Sequence, residues 1–201
     1  MTNHKRVLGI VGSPRRGGNT DILVDEVLAG AAEAGALTEK VMLSKLEIGP
    51  CRGCDACGKT GTCVQQDDMP ALLEQMAHSD VWVFGTPVYY WGPTAQFKAF
   101  VDRWYSTEHQ ATKIAEFKDK RVVLAVPLGG TVHDARHTVG TIEDALAYKK
   151  SELFATIVAS DVEKKGAVRD HPDVLAAARR AGRETVEKSQ LHSLPSRRFE
   201  K

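Results

Sequence analysis

Four short runs of unbroken apolar residues punctuate the chain, at positions 7–12, 81–84, 122–126 and 154–158, each rich in β-branched residues and bounded by turn formers. Continuous apolar character, in place of strict alternation, predicts strands covered on both faces, as in a parallel sheet. A fifth run, 37–43, mixes charged and apolar positions and suits a sheet edge. Helical periods lie between these runs. Leu23, Val27 and Ala31 recur at four-residue steps over 20–34. After Pro93, predicted as a first helical residue, Phe97, Phe100, Val101 and Trp104 follow i, i+3, i+4, i+7 spacing. Val139, Ile142 and Leu146 mark another helix, as do Val174, Leu175, Ala178 and Val186 behind His171-Pro172, and 69–78 forms a shorter one. Strands alternating with helices predict right-handed βαβ units and an open α/β sheet with helices on both faces. One domain fills residues 1–201, with 191–201 expected as a loose or partner-bound tail.

Charge and composition restrict function more than fold. The 201 residues carry 27 Lys and Arg against 26 Asp and Glu, with no long block of either sign, which argues against a nucleic-acid stripe or a membrane-surface helix. A small ligand is the expectation. No apolar run approaches the ~18–20 residues of a membrane span, and residues 1–6 lead straight into a strand, so the expected location is cytoplasmic. All four cysteines, Cys51, Cys54, Cys57 and Cys63, lie in one short stretch. In a reducing compartment, that clustering predicts metal or redox chemistry ahead of a structural disulfide.

Open parallel sheets bind ligands beyond the carboxyl ends of their strands, so the loops after positions 12, 85 and 126 carry the chemistry. The first, Gly12-Ser13-Pro14-Arg15-Arg16-Gly17-Gly18-Asn19-Thr20, combines small residues, hydroxyls and arginines with a helix start. That is a cradle for phosphate, with the Ser13 and Thr20 hydroxyls, the Asn19 amide and the charge of Arg15 or Arg16 as candidate contacts. It lacks both the Gly-Lys-Ser/Thr ending of a nucleotide-triphosphate loop and the glycine spacing of a dinucleotide turn. The second loop offers Pro87, Val88, Tyr89, Tyr90 and Trp91, whose consecutive rings cannot all be buried and so present a face for a flat heterocycle. In the third, Gly129 and Gly130 permit close backbone approach.

These motifs, in this order, resemble the NAD(P)H-dependent FMN reductase family, whose loops read Gly-Ser-x-Arg-x-x-Gly/Ser-Asn/Ser-Thr and Thr-Pro-x-Tyr and whose following helix carries Lys-x-Phe-x-Asp-Arg, here Lys98 to Arg103. The likeness runs from Lys5 to about Glu187. It implies a flavodoxin-like three-layer sandwich with five parallel strands in the order 2-1-3-4-5, usually assembled as a homodimer or homotetramer. It also implies FMN, its phosphate on Ser13, Arg15, Asn19 and Thr20 and its ring against residues 87–91 and Gly129-Gly130. NAD(P)H would be the reductant and a quinone, flavin, nitro or azo compound, or a protein partner, the acceptor. Hydride passes directly between the two rings, so no dedicated catalytic side chain is expected.

The spacing Cys51-x2-Cys54-x2-Cys57-x5-Cys63 resembles that of iron–sulfur flavoproteins, a branch of the same family that carries a 4Fe-4S cluster near FMN. Val64 stands where a ferredoxin pattern has Pro. Free thiols, a redox disulfide or tetrahedral zinc remain alternatives. The readings at this point are an FMN-dependent oxidoreductase, an iron–sulfur electron carrier and a zinc-stapled, non-catalytic module. His133 and His137 read as a solvated helix face, Asp67-Asp68 as helix capping, and 106–117 as a polar insertion of unassigned role.

Overall fold

The computed structural model describes residues 4–109 and 111–187; the tail at 191–201 lies outside them. Five parallel strands, β1 (Arg6–Val11), β2 (Leu37–Met42), β3 (Val81–Gly85), β4 (Arg121–Pro127) and β5 (Glu152–Ala159), pair in the order β2-β1-β3-β4-β5. The mixed-polarity strand β2 takes an edge, as its sequence predicts. Val11 lies beside Gly85, and Gly85 beside Ala125, so the loops following β1, β3 and β4 leave the sheet side by side.

Within the continuous apolar runs lies an alternation of size. Leu8, Ile10, Trp82, Phe84, Val122 and Leu124 point to one face, whereas Val7, Val11, Val81, Val83, Val123 and Ala125 point to the other. Successive strand residues face opposite ways, so each side receives its own core. The large-residue face is covered by α3 (Met69–Ala77), α4 (Ala95–Asp102), α5 (Ala111–Phe117) and α6 (Arg136–Tyr148). Trp82, Phe84, Phe97, Phe100 and Trp104 form a contiguous aromatic cluster there, with centroids 5.3–6.3 Å apart. Among the described residues, the small-residue face carries α1 (Asn19–Glu33) and α7 (Pro172–Glu187) alone. These two helices touch backbone to backbone. A Cβ at Gly30 would lie 1.9 Å from the Arg179 carbonyl oxygen, and one at Gly182 1.9 Å from that of Val27.

Two expectations need correction. Pro93 is not the first residue of α4: Thr94 is its N-cap, accepting the Phe97 N–H at 3.2 Å, because a hydroxyl satisfies an orphan amide and a proline ring cannot. Residues 106–117 are not a polar insertion. They complete a turn of tight helix (Arg103–Thr107) and α5, whose Phe117 is buried, while buried Lys149 donates to Thr107, Glu108 and the Trp104 carbonyl. The cysteine stretch contains a short helix, α2 (Ala56–Thr60), entered at Asp55 with φ 54°.

The α1–α7 contact yields the first prediction. Gly30→Ala or Gly182→Ala forces the helices apart and costs about 1–3 kcal/mol or more, read as a lowered urea midpoint; an unchanged midpoint in both variants would show that the helices are not in backbone contact.

Candidate functional site

The first loop is held from beneath by a carboxylate. Asp21, in the first turn of α1, accepts the Gly17 N–H at 2.7 Å and the Lys40 ammonium at 2.7 Å. Gly17 has φ 66°, a left-handed conformation that favours glycine. Burial alone would push the Asp21 carboxyl up, but the hydrogen bonds from Lys40 and Gly17 together hold it below the ordinary carboxylate range. The cap position of α1 is Gly18, and no side chain caps the helix. The first amides of α1 therefore have no capping side chain among the described residues, and the positive end of the helix dipole lies behind them. Ser13 is buried, and its Oγ accepts the Arg15 N–H at 3.2 Å, leaving its own proton to donate elsewhere.

Asn19 departs from its expected role. Its Nδ2 donates to the carbonyls of Val162 (2.6 Å) and Lys164 (2.9 Å), and its Oδ1 accepts the Val168 N–H at 3.2 Å. The side chain is spent on docking the segment after β5, so only the backbone of Asn19 remains for an anion. That segment brings Lys165 and Glu163 to the cleft, two residues the sequence reading did not single out. A lysine pair ahead of Gly166, just past the last strand, was the available signal.

The aromatic loop closes in a two-residue turn. Tyr89 and Gly92 exchange backbone hydrogen bonds of 2.8 and 3.1 Å, and the central residues Tyr90 and Trp91 have φ 47° and 62°. Turns with two positive φ values ordinarily use Asn-Gly; a non-glycine residue there costs of order 1–3 kcal/mol. Tyr90 is 97% exposed and Trp91 51%. Buried Thr94 ties this loop to the first, donating to the Gly12 carbonyl at 2.7 Å. In the glycine loop, the Leu128 and Gly130 carbonyls accept the Val162 and Asp161 N–H groups, and the Gly129 and Gly130 amides have no backbone partner among the described residues.

The three loops enclose two adjoining hollows. Ser13, Arg15, Asn19, Thr20, Pro87, Val88, Tyr89 and Gly129 line a cleft of about 190 Å³, together with Leu128 and Lys165. Val88, Tyr90, Trp91, Gly129, Gly130 and Asp134 line a wider slot of about 340 Å³. The two share Val88, Leu128 and Gly129. All eleven residues singled out in the three loops thus line one or the other of these two adjoining hollows.

The cysteines lie elsewhere on the same edge. Cys51 and Cys54 are exposed, Cys57 is buried and Cys63 intermediate, and all four are free thiols. Burial pushes the Cys57 thiol up. Among the described residues no three His, Cys, Asp or Glu side chains converge on a metal-binding point. The base of the stretch is fixed by Arg103, whose side chain is 1% exposed. It donates to Asp67 at 2.5 and 2.9 Å and to the Gly49 carbonyl at 3.0 Å, so it joins both ends of the stretch to α4. The Asp67 hydrogen bond, against the opposing effect of burial, and then neighbouring Cys63 hold the guanidinium above its ordinary value. Its Nε is buried without a hydrogen-bond partner. The capping expected of Asp67-Asp68 is thus secondary: Asp67 accepts the Met69 N–H at 3.2 Å but chiefly pairs with Arg103, and Asp68 accepts from Glu47.

A parallel sheet in this order, with a polar cleft leading to an aromatic-lined slot at the switch point, defines a flavodoxin-like α/β protein. Residues 5–162 match the family described as NADPH-dependent FMN reductase, and the chain belongs to that family. It is 30% identical over 177 residues to an iron-sulfur flavoprotein of Methanocaldococcus jannaschii, covering 82% of this chain and 87% of that protein. A second iron-sulfur flavoprotein of the same organism is 44% identical over 98 residues, 49% of this chain and 51% of that protein. The chain spans about half the length of most of the curated relatives it matches. Among solved structures, the NAD(P)H:quinone oxidoreductase from Methanothermobacter marburgensis superposes with a TM-score of 0.69 at 18% identity, over 94% of this chain and 98% of that one. Among the described residues no helix is long and apolar enough to cross a membrane.

Two predictions follow from the ion pairs. Asp21 and Asp67 both have lowered folded-state pKa values, so their stabilisation is complete above the ordinary carboxylate pKa near ~4 and is lost as pH falls through the lowered values. Thermal unfolding between pH 6 and pH 2.5 is expected to show a drop in Tm confined to the acid end, and Asp21→Asn should flatten part of it. Asp67→Ala leaves the Arg103 charge buried and uncompensated and should cost about 3–5 kcal/mol by denaturant unfolding. A loss below ~1 kcal/mol would mean that water reaches the guanidinium.

Proposed function

We propose that the two adjoining hollows together bind FMN, and that the protein is an NAD(P)H-dependent oxidoreductase passing electrons to a small acceptor or a protein partner. The observation that carries this reading is the uncapped start of α1 opening into a cleft that adjoins an aromatic and glycine-lined slot. The fit is chemical. Helix amides, the Ser13 and Thr20 hydroxyls and the cations of Arg15 and Lys165 suit a phosphate, while Pro87 to Trp91 suit a flat ring. FMN, when bound, supplies a ring that takes hydride from a nicotinamide and releases electrons onward. The amides of Gly129 and Gly130 would donate to the ring edge where negative charge collects. No side chain is required as a general acid or base. A quinone, flavin, nitro or azo compound suits an open slot bounded by Tyr90 and Trp91. Assembly as a homodimer or homotetramer and a cytoplasmic location belong to this reading, without a nucleic-acid partner.

A second reading adds a 4Fe-4S cluster on Cys51, Cys54, Cys57 and Cys63 and makes the protein an electron carrier. Two observations favour it: relatives bearing the name iron-sulfur flavoprotein, and the buried, unpartnered Nε of Arg103 with Cys63 beside the same guanidinium. An unsatisfied buried N–H costs about 1–3 kcal/mol, and a sulfur ligand next to it would answer that cost. The residues would supply four thiolates, and Arg103 a cation to offset their charge.

Anaerobic purification with flavin, iron and sulfide quantitation tests both readings. FMN near one per chain supports the first, and iron with acid-labile sulfide the second; a colourless zinc protein supports a stapled, non-catalytic module. Arg15→Ala should weaken FMN binding by about 1.5–3 kcal/mol, measured by fluorescence titration. Failure of the unaltered protein to take up FMN at saturating concentration removes the oxidoreductase reading.

A further inference from the structure

Asp134 lies outside the loops singled out for the cofactor, on the short helical turn (Val132–Ala135) that precedes α6, yet it lines the ring slot and its two carboxylate oxygens take partners from two different loops. On one side, Oδ1 accepts the indole Nε1–H of Trp91 at 3.2 Å. On the other, Oδ2 accepts both the backbone N–H and the hydroxyl of Thr131, each at 2.9 Å, and a Cβ at Gly130 would stand 2.7 Å from the same oxygen. We infer that Asp134 is a positioning residue that clamps the aromatic turn to the glycine loop and so fixes the width of the slot for a flat ring. This rests on the reading of that slot as the flavin-ring site.

The clamp acts on a turn that its own Tyr89–Gly92 hydrogen bonds close but whose central backbone is strained. Tyr90 and Trp91 occupy left-handed backbone that aromatic residues avoid, and both rings reach toward solvent. Two contacts from the α6 side oppose relaxation: the Asp134 carboxylate on the indole, and the Thr138 hydroxyl, which donates to the Trp91 carbonyl at 3.1 Å. One fixes the ring and the other the backbone of the same residue. A bare helix cap would account for the Thr131 bonds alone. It gives no reason for the second oxygen to hold an indole across 43 positions of sequence.

A double-mutant cycle separates the clamp from the cap. In the full-length protein, Trp91→Phe keeps a ring but removes the indole donor, Asp134→Ala removes both arms, and Thr131→Val removes the hydroxyl's share of the cap while the Thr131 N–H still donates to Asp134. FMN dissociation constants are measured for the singles and for each pair. We expect Trp91→Phe and Asp134→Ala each to weaken binding roughly tenfold, as for loss of one charge-assisted bond, with the double variant no weaker than the worse single. Thr131→Val combined with Trp91→Phe should be additive. Multiplying losses for Trp91→Phe with Asp134→Ala, or no loss in either, overturns the proposal. The ligand-free protein provides a readout independent of the flavin assignment. The near-ultraviolet dichroism difference between wild type and Trp91→Phe isolates Trp91 from buried Trp82 and Trp104, and that signal should vanish in Asp134→Ala. If wild type takes no FMN but the signal vanishes, the clamp stands and the cofactor reading falls; if the signal persists, the clamp falls.

Discussion

The backbone contact between α1 and α7 is the constraint from which the ligand-facing edge follows. Small residues on one face of β1, β3 and β4 let two helices settle close to the sheet, and glycines at 30 and 182 let them meet without intervening side chains. The chain between β5 and α7 returns across the start of α1. Asn19 then binds that returning segment through three hydrogen bonds. The cleft is the space left between this segment, the first loop and the two loops beside it. Loosening the helix contact would move a wall of the cleft more than ten residues from the glycines.

Charge is used at the feet of the loops more than at their tips. Asp21 with Lys40 pins the turn ahead of α1, and Asp67 with Arg103 pins the cysteine stretch. In each pair one member is nearly closed to water, so its partner is obligatory: removing the partner leaves a charge with nothing to replace its hydration. At the cleft, the Ser13 proton and the side chains of Arg15 and Lys165 have no internal partner among the described residues that a ligand would have to displace.

Much of this was legible in the sequence because double-sided burial imposes an unbroken apolar run in β1, β3 and β4; the run at 154–158 misled, since β5 is the other edge strand and most of its residues are only half-buried. The alternation of large and small residues inside those runs was also present, in Trp82 and Phe84 against Val81 and Val83, and it decides which face takes four helices and which takes two. The loops were legible through residue types that do little else when grouped: glycines, hydroxyls, arginines and consecutive rings. What stayed hidden were partnerships across long sequence separations. Asn19 looked like a ligand donor because its acceptors lie some 143 to 149 positions away. Asp67 looked like a cap because Arg103 is 36 positions distant, and nothing local marks that arginine as buried. Lys165 and Asp134 escaped notice for the same reason: a lone charge on a connecting segment acquires meaning only from where the fold delivers it.

The aromatic turn sits at the extremity of its loop, anchored from α6 and contributing nothing to either core. Its shape is therefore an adjustable fitting on a fixed chassis. Changes in its length or rings would alter which molecules are admitted while leaving strand pairing intact, so a lineage could shift its substrate range without first acquiring surplus stability.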